Sequence, residues 1–175
     1  MADYVFKVIL TGPAAVGKTS LLQRFVHDTF KEDYSLTIGV DFLSKKVELE
    51  DNESARLTIW DIGGQKRFEF MRSKFYNGAN GALLVFDLTR RETFEQIKES
   101  LEVLRREAGK DVDFILVGNK ADLLESVGRV IPKKRAKNFA ENQGSFYIET
   151  SAKTGDSVED AFYQLTQKMA NDTEI

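Results

Sequence analysis

Eight residues near the N-terminus, Gly12-Pro13-Ala14-Ala15-Val16-Gly17-Lys18-Thr19, constrain this chain more than any other stretch. Gly12, four residues, then Gly17-Lys18-Thr19 is the spacing of a loop whose backbone N–H groups wrap a polyphosphate, with the lysine on its β and γ groups and a hydroxyl on Mg²⁺. Gly17 lets the backbone approach an anion and take angles that a Cβ resists. A helix starting there aims its N-terminal dipole at the phosphate. Lys18 supplies a mobile cation on a long stem, and Thr19 a small oxygen ligand suited to a hard metal. At average residue usage the bare pattern arises by accident in roughly 1% of chains this long. Here it lies between a strand-like Val5–Thr11 and a helix-like Ser20–Phe30, the setting such a loop requires.

The rest of the chain alternates strand and helix patterns. Tyr4 to Leu10 reads as a first strand and about Gly17 to His27 as a helix. His27, the only histidine, falls near that helix's C-terminus, where a weak dipole interaction explains it. Val40 to Leu49 and Ala55 to Trp60 read as antiparallel strands joined by a turn at Glu50-Asp51-Asn52-Glu53. Asp61 then opens Ile62-Gly63-Gly64-Gln65-Lys66-Arg67-Phe68, too polar for a core strand and too short for a stable helix. Ala79 to Asp87 and Asp113 to Val117 are buried-strand runs. Between them Phe94, Ile97, Leu101 and Leu104 predict one crossover helix over 91–108, ended by Gly109. Pro132 starts a further helix to about Glu141, and Phe146 to Glu149 is the last strand. A final helix is expected from Asp156, with Glu159 completing a capping box. This order implies a doubly wound, mostly parallel α/β sheet with ligands at the strands' C-terminal edge.

With 175 residues, 42% of them hydrophobic, and no linker or low-complexity tract, the chain reads as a single domain over 1–175. A net charge of −3 gives no basic footprint, which disfavours a nucleic-acid partner. The absence of cysteine excludes disulfides, thiolate zinc sites, palmitoylation and prenylation of this sequence. No signal-peptide pattern, myristoylation glycine or membrane-spanning stretch is present, so a cytoplasmic chain without its own membrane anchor is expected, with peripheral membrane association only through a partner or a missing tail.

Asn119-Lys120-Ala121-Asp122 follows the strand Phe114–Gly118, and Ser151-Ala152-Lys153 follows the last strand. A carboxylate at Asp122 has the chemistry to accept from both N1–H and the N2 amino group of guanine, a donor pair adenine lacks. Left facing an acceptor instead, a buried carboxylate costs several kcal/mol, roughly the basis of strong selectivity. Alone, this tetrapeptide is a common turn composition. Together with the phosphate loop and Ser151-Ala152-Lys153 it is strong.

With these motifs in order, the chain resembles a small GTPase of the Ras superfamily, closest to its Rab branch, from Phe6 to about Met169. The Rab flavour rests on Thr37–Phe42, Arg56–Asp61, Phe75–Ala79 and Leu84–Thr89. The resemblance implies a three-layer P-loop G domain: a six-stranded, mostly parallel sheet with one antiparallel edge strand and helices on both faces. It implies that backbone amides of Ala15, Val16, Gly17, Lys18, Thr19 and Ser20 hold the phosphates. Thr19 and Thr37 would ligate Mg²⁺, and Asp61 would hold it through a water. Phe30 would pack on the guanine or ribose, Lys120 would stack its stem on the base, and Ala152 would offer its amide to O6. Tyr34, Asn119, Asp122, Ser151 and Lys153 complete the implied nucleotide set. Gly64 would turn its N–H to the γ-phosphate and Gln65 would orient the attacking water, with Gln65 and Lys18 as catalytic residues. The result would be a GTP-hydrolysing switch, monomeric, with activating, exchange and effector proteins meeting residues 34–42, 60 and 63–76.

Departures carry their own expectations. Asp61-Ile62-Gly63-Gly64-Gln65 is similar to the Arf branch rather than to the usual DTAGQ. The extra Gly63 should loosen that loop, and the Ala14 methyl should crowd Gln65 or an incoming arginine, so slow intrinsic hydrolysis is expected. No arginine precedes Thr37 to act in cis, so fast turnover is expected to need a partner. Phe42, Trp60 and Phe75 are either a partner-binding patch or core. Lys66, Arg67 and Arg72 are either contacts for an acidic partner or the solvated face of a short helix. Two other classes remain in competition: a P-loop ATPase or nucleoside kinase, and a catalytically silent nucleotide-held scaffold.

Overall fold

The computed structural model describes residues 2–32 and 36–173, with the side chain of Lys66 left out. In the first strand, β1 (Tyr4–Thr11), side chains alternate between the sheet's two faces, and this sets the layers. Phe6, Val8 and Leu10 enter one core, while Ile9 enters the other. Helix α1 (Lys18–His27) follows the phosphate loop and covers the first face with Leu21, Leu22 and Phe25. An antiparallel pair comes next, β2 (Val40–Glu48) and β3 (Ser54–Ile62), joined through a 3-10 turn at Glu50–Asn52. A second 3-10 turn, Lys66–Phe68, runs into helix α2 (Glu69–Tyr76).

The chain continues through β4 (Gly81–Asp87), α3 (Arg91–Glu95), α4 (Ile97–Ala108), β5 (Asp113–Asn119), α5 (Lys133–Asn142), β6 (Phe146–Glu149) and α6 (Val158–Thr173). The six strands lie in the order β2-β3-β1-β4-β5-β6, with β2 alone antiparallel at one edge. Helices α1 and α6 pack on one face, α6 through Val158, Phe162, Leu165 and Met169. The rings of Phe25 and Phe162 stack there with centroids 3.9 Å apart. The opposite face is covered by Tyr76 of α2, Phe94 of α3, Ile97, Leu101 and Leu104 of α4, and Ala136 and Ala140 of α5. This is the three-layer sheet that the alternating pattern predicts.

Two elements differ from the sequence reading. The crossover helix over 91–108 is two helices meeting at Gln96, which has φ −80° and ψ −9°. Both pieces bury the same face, so an unbroken apolar spacing cannot reveal the break. Helix α6 starts at Val158 rather than Asp156, after Ser157 at φ 59°. Glu159 makes a salt bridge with Lys45 at 2.8 Å instead of closing a capping box.

Candidate functional site

The loop between β1 and α1 is bent by two glycines with no room for a side chain. At Gly12 (φ 141°) a Cβ would collide with the Val85 carbonyl, and at Gly17 (φ 99°) with the Asn119 amide. Ala15 between them has φ 68°, a left-handed angle that costs a residue with a Cβ about 1–2 kcal/mol. The loop closes over Lys18, 6% exposed, whose Nζ donates to the carbonyls of Gly12 at 3.0 Å and Pro13 at 2.7 Å. Burial pulls the Lys18 pKa down to about 8, partly opposed by Asp61 and reinforced by Arg72.

Beside Lys18, three oxygens from three segments converge. The Thr19 hydroxyl bonds both the Thr37 hydroxyl and Asp61 Oδ2. Asp61 is fully buried at the end of β3, and its other oxygen, Oδ1, has no partner among the described residues. Burial raises its pKa, opposed by the Thr19 bond and by Lys18. Two hydroxyls and a carboxylate with an unused buried oxygen form a hard-oxygen donor set, which fits a small divalent cation that keeps some waters.

Gly64 lies against this corner: a Cβ there would sit 2.8 Å from both Lys18 Nζ and the Ala14 nitrogen. Gln65 lines the same cavity, with Nε2 buried and unpartnered among the described residues. Arg72 of α2 turns inward, donating from Nη1 to the carbonyls of Gly63 and Gln65 at 3.2 Å each. It is therefore not on the solvated face that the sequence reading allows it. Gly63 serves for room: a Cβ would stand 2.7 Å from the Thr37 carbonyl oxygen and 2.5 Å from the Phe68 ring.

The other end of the cavity is built from the loops after β5 and β6. Asn119 bridges from its amide to the Val16 carbonyl at 2.9 Å and accepts from the Thr150 hydroxyl at 3.0 Å. Val16 is thus tied to the loop after β5 by its backbone carbonyl, its side chain being fully buried in the core. Lys120, at φ 70°, reaches back to the Ala15 carbonyl at 3.0 Å. The Ser151 hydroxyl donates to Asp122 Oδ1 at 2.7 Å and fixes the carboxylate's direction. Arg24 of α1 holds the carbonyls of Ala152 at 2.8 Å and Lys153 at 2.6 Å, and Lys153 pairs with Glu32 at 3.1 Å.

One cavity of about 540 Å³ joins the two ends and is lined by Lys18, Thr19, Ser20, Phe30, Thr37, Gln65, Asp122 and Ala152 among others. Its volume is that of a nucleotide-sized ligand rather than a single ion. Of the residues expected from sequence, Tyr34 lies outside the described residues. Arg24, Arg72, Asp87 and Arg90, which build or brace the site, were not expected. Asp87 alone left a trace in the sequence, as a charge closing a buried apolar strand.

The model of the Ras family matches residues 7–171. The chain belongs to the Ras family. It is similar to the Ras-related protein RABA4b of Arabidopsis thaliana, 47% identical over 169 residues that span 97% of this chain and 74% of the relative. Ras-related protein RABA4a of the same plant is 46% identical over the same shares. Ras-related protein Rab11A of Lotus japonicus is 44% identical, again over 97% of this chain and 74% of the relative. This Ras-family member is a Rab-like small GTPase: it binds guanine nucleotide, hydrolyses GTP and acts as a molecular switch.

Near the switch loops the Ras-family chain carries an aromatic stack, Phe42 on Trp60 at 4.9 Å and Trp60 on Phe75 at 5.3 Å. Phe42 is 56% exposed, so this stack is open to solvent at one end rather than core throughout. Among the described residues no helix is long and apolar enough to cross a membrane.

Proposed function

We propose that Lys18 and Asp122 grip opposite ends of one guanine nucleotide. What supports this is their common cavity, phosphate loop at one end and the Ser151-oriented carboxylate at the other. The amides of Ala15 to Ser20 and the Lys18 ammonium stabilise charge on the phosphate oxygens, the main task in phosphoryl transfer. Thr19 and Thr37 hold Mg²⁺ directly and Asp61 holds it through a water, a reading supported by the unpartnered Asp61 Oδ1. When bound, that ion screens the β- and γ-phosphate charge. Gly64 donates its N–H to the γ-phosphate, and Gln65 orients the attacking water. At the base, Asp122 accepts from N1–H and the N2 amino group, Ala152 N–H donates to O6, the Lys120 stem stacks on the ring, and Phe30 packs against it. Asn119, Ser151 and Lys153 hold these groups in place, and Tyr34 is proposed to complete the set.

The switch follows: Thr37 and Gly64 reach the γ-phosphate and its metal only while that phosphate exists. Intrinsic hydrolysis is slow, and an arginine supplied in trans, worth on the order of 10³ to 10⁵ in rate, discharges it. The Arf-like Asp61–Gln65 segment sets this protein's loop apart within a Rab-like frame. Effectors and regulators read residues 34–42, 60 and 63–76, including the aromatic stack. The protein works as a cytoplasmic monomer that meets membranes peripherally.

The test is displacement of a fluorescent guanine nucleotide by GDP and by ADP, with and without Mg²⁺. GDP displaces it at least 100-fold better than ADP, on the order expected when a site loses matched donors. Magnesium slows its release. Equal displacement by the two overturns the guanine reading, and release indifferent to magnesium overturns the metal assignment.

A further inference from the structure

Behind the phosphate loop one carboxylate organises two cations. Asp87, at the C-terminal end of β4, has a side chain 2% exposed. Its Oδ1 accepts from the Thr89 N–H at 2.8 Å and the Thr89 hydroxyl at 2.7 Å. Its Oδ2 is shared by Arg90 Nε at 3.2 Å and Lys120 Nζ at 3.0 Å. Burial pushes the Asp87 pKa up, and the Thr89 and Lys120 bonds outweigh it, so the carboxyl is held below the usual range.

Each cation then continues to the phosphate loop. Arg90 Nη2 donates to the Ala14 carbonyl at 3.1 Å, and Lys120 Nζ to the Ala15 carbonyl at 3.0 Å. Those carbonyls belong to the two peptide planes that meet at the Ala15 Cα, so holding both fixes the angle between them. That angle is set by the φ and ψ of Ala15, whose φ of 68° is a left-handed value that an alanine resists. In a trans peptide C=O and N–H point in opposite directions. Drawing the two carbonyls toward the cations therefore turns the Ala15 and Val16 N–H groups to the loop's other side.

We propose that Arg90, anchored by Asp87, is a positioning residue that holds the strained Ala14–Ala15 segment in its phosphate-binding conformation and thereby sets the rate of nucleotide release. The inference rests on the loop's assignment to phosphate. Arg90 does the work of a fork: Nε takes the carboxylate at 3.2 Å while Nη2, fixed in the same rigid plane, takes the carbonyl at 3.1 Å. Because Asp87 also holds Lys120, the base loop and the phosphate loop are braced from one point.

The decisive measurement is the dissociation rate of a fluorescent GDP from the full chain, for wild type, Arg90→Gln, Ala15→Gly and the double variant. Arg90 is 38% exposed and its replacement leaves the core intact. Loss of a charge-assisted clamp speeds release about tenfold in the wild-type background. With Ala15→Gly the left-handed angle carries no penalty, so the same Arg90→Gln change speeds release less than about threefold, and the two changes are coupled. Arg90→Lys, keeping one of the two bonds, falls between. Release at the wild-type rate in Arg90→Gln overturns the proposal, and so does an equal factor in both backgrounds, the signature of general destabilisation. Wild type that fails to retain the guanine probe refutes the nucleotide site itself, a distinct result.

Discussion

The Gly63 N–H donates to the Gly39 carbonyl at 2.9 Å, main chain to main chain. This bond ties the loop that carries Gly64 and Gln65 to the one that carries Thr37. The two loops approach so closely at Gly63 that the Thr37 carbonyl and the Phe68 ring occupy the space a β-carbon needs. Gly63 is thus the point at which closure of one loop is felt by the other.

Gly63→Ala pushes them apart. The Phe68 ring can turn away, but the Thr37 carbonyl is backbone, so the closed arrangement loses about 1–3 kcal/mol. The loss falls on the GTP-like state, in which both loops are engaged, more than on the GDP state. Thermal unfolding with a non-hydrolysable GTP analogue and with GDP measures it: the extra stabilisation by the analogue shrinks by several degrees, at about 2–4 °C per kcal/mol for a chain of this size. Equal midpoints in variant and wild type for both nucleotides refute the contact's role.

Arg72→Gln removes the two bonds to the carbonyls of Gly63 and Gln65. Those carbonyls flank Gly64, so their anchoring fixes where the Gly64 N–H and the Gln65 side chain point. A charge-assisted hydrogen bond contributes about 1.5–3 kcal/mol, and each 1.36 kcal/mol is about tenfold in rate. Single-turnover GTP hydrolysis accordingly falls about tenfold or more. GDP release, which does not depend on this loop, stays within about twofold. A hydrolysis rate like that of wild type rules the anchoring out.

How much was legible beforehand differs by residue for physical reasons. Lys18, Thr19 and Asp122 could be found because phosphate and base chemistry dictate residue types at fixed local spacing, next to strands that declare themselves by apolar runs. The layers were legible because β4 and β5 are apolar runs of the kind buried on both faces, and strand patterns alternate with helix patterns along the chain. Arg72 and Arg90 were not, because an arginine's direction depends on which carbonyls the tertiary fold brings near, and charge alone suggests a solvated face. Gly63 was readable as freedom of the backbone, whereas its surroundings make it a question of space. The break at Gln96 was hidden because α3 and α4 bury the same stripe. Lys45, whose capture of Glu159 replaces the expected capping box, comes from a strand far away in the sequence.

Two carboxylates at the foot of the molecule give a pH signature independent of the nucleotide site. Asp113, at the start of β5, faces Asp172 and Lys168 of α6, with Lys168 Nζ 3.4 Å from Asp113 and 3.9 Å from Asp172. Burial pushes the Asp113 pKa up to about 6, reinforced by its hydrogen bond with Asp172 and only partly opposed by Lys168. A carboxyl whose pKa is raised by folding is protonated in both states below about pH 4 and weighs on neither. Between about pH 4 and 6 the unfolded chain gives up the proton first, so the folded state binds more protons and stability falls as pH rises. The loss is on the order of 2 kcal/mol, complete above about pH 6. Asp87 and Glu149, held below the usual carboxylate range once their bonds to Thr89, Lys120 and Arg129 outweigh burial, tilt the whole-protein curve the other way. The informative quantity is therefore the difference between wild type and Asp113→Asn in chemical denaturation at pH 4.5 and pH 7. The variant, lacking the titrating group, gains relative to wild type by about 1–2 kcal/mol as pH rises across that interval. A difference that does not change with pH means that Asp113 titrates as an ordinary surface carboxylate, and the Asp113–Asp172 coupling then has no bearing on stability.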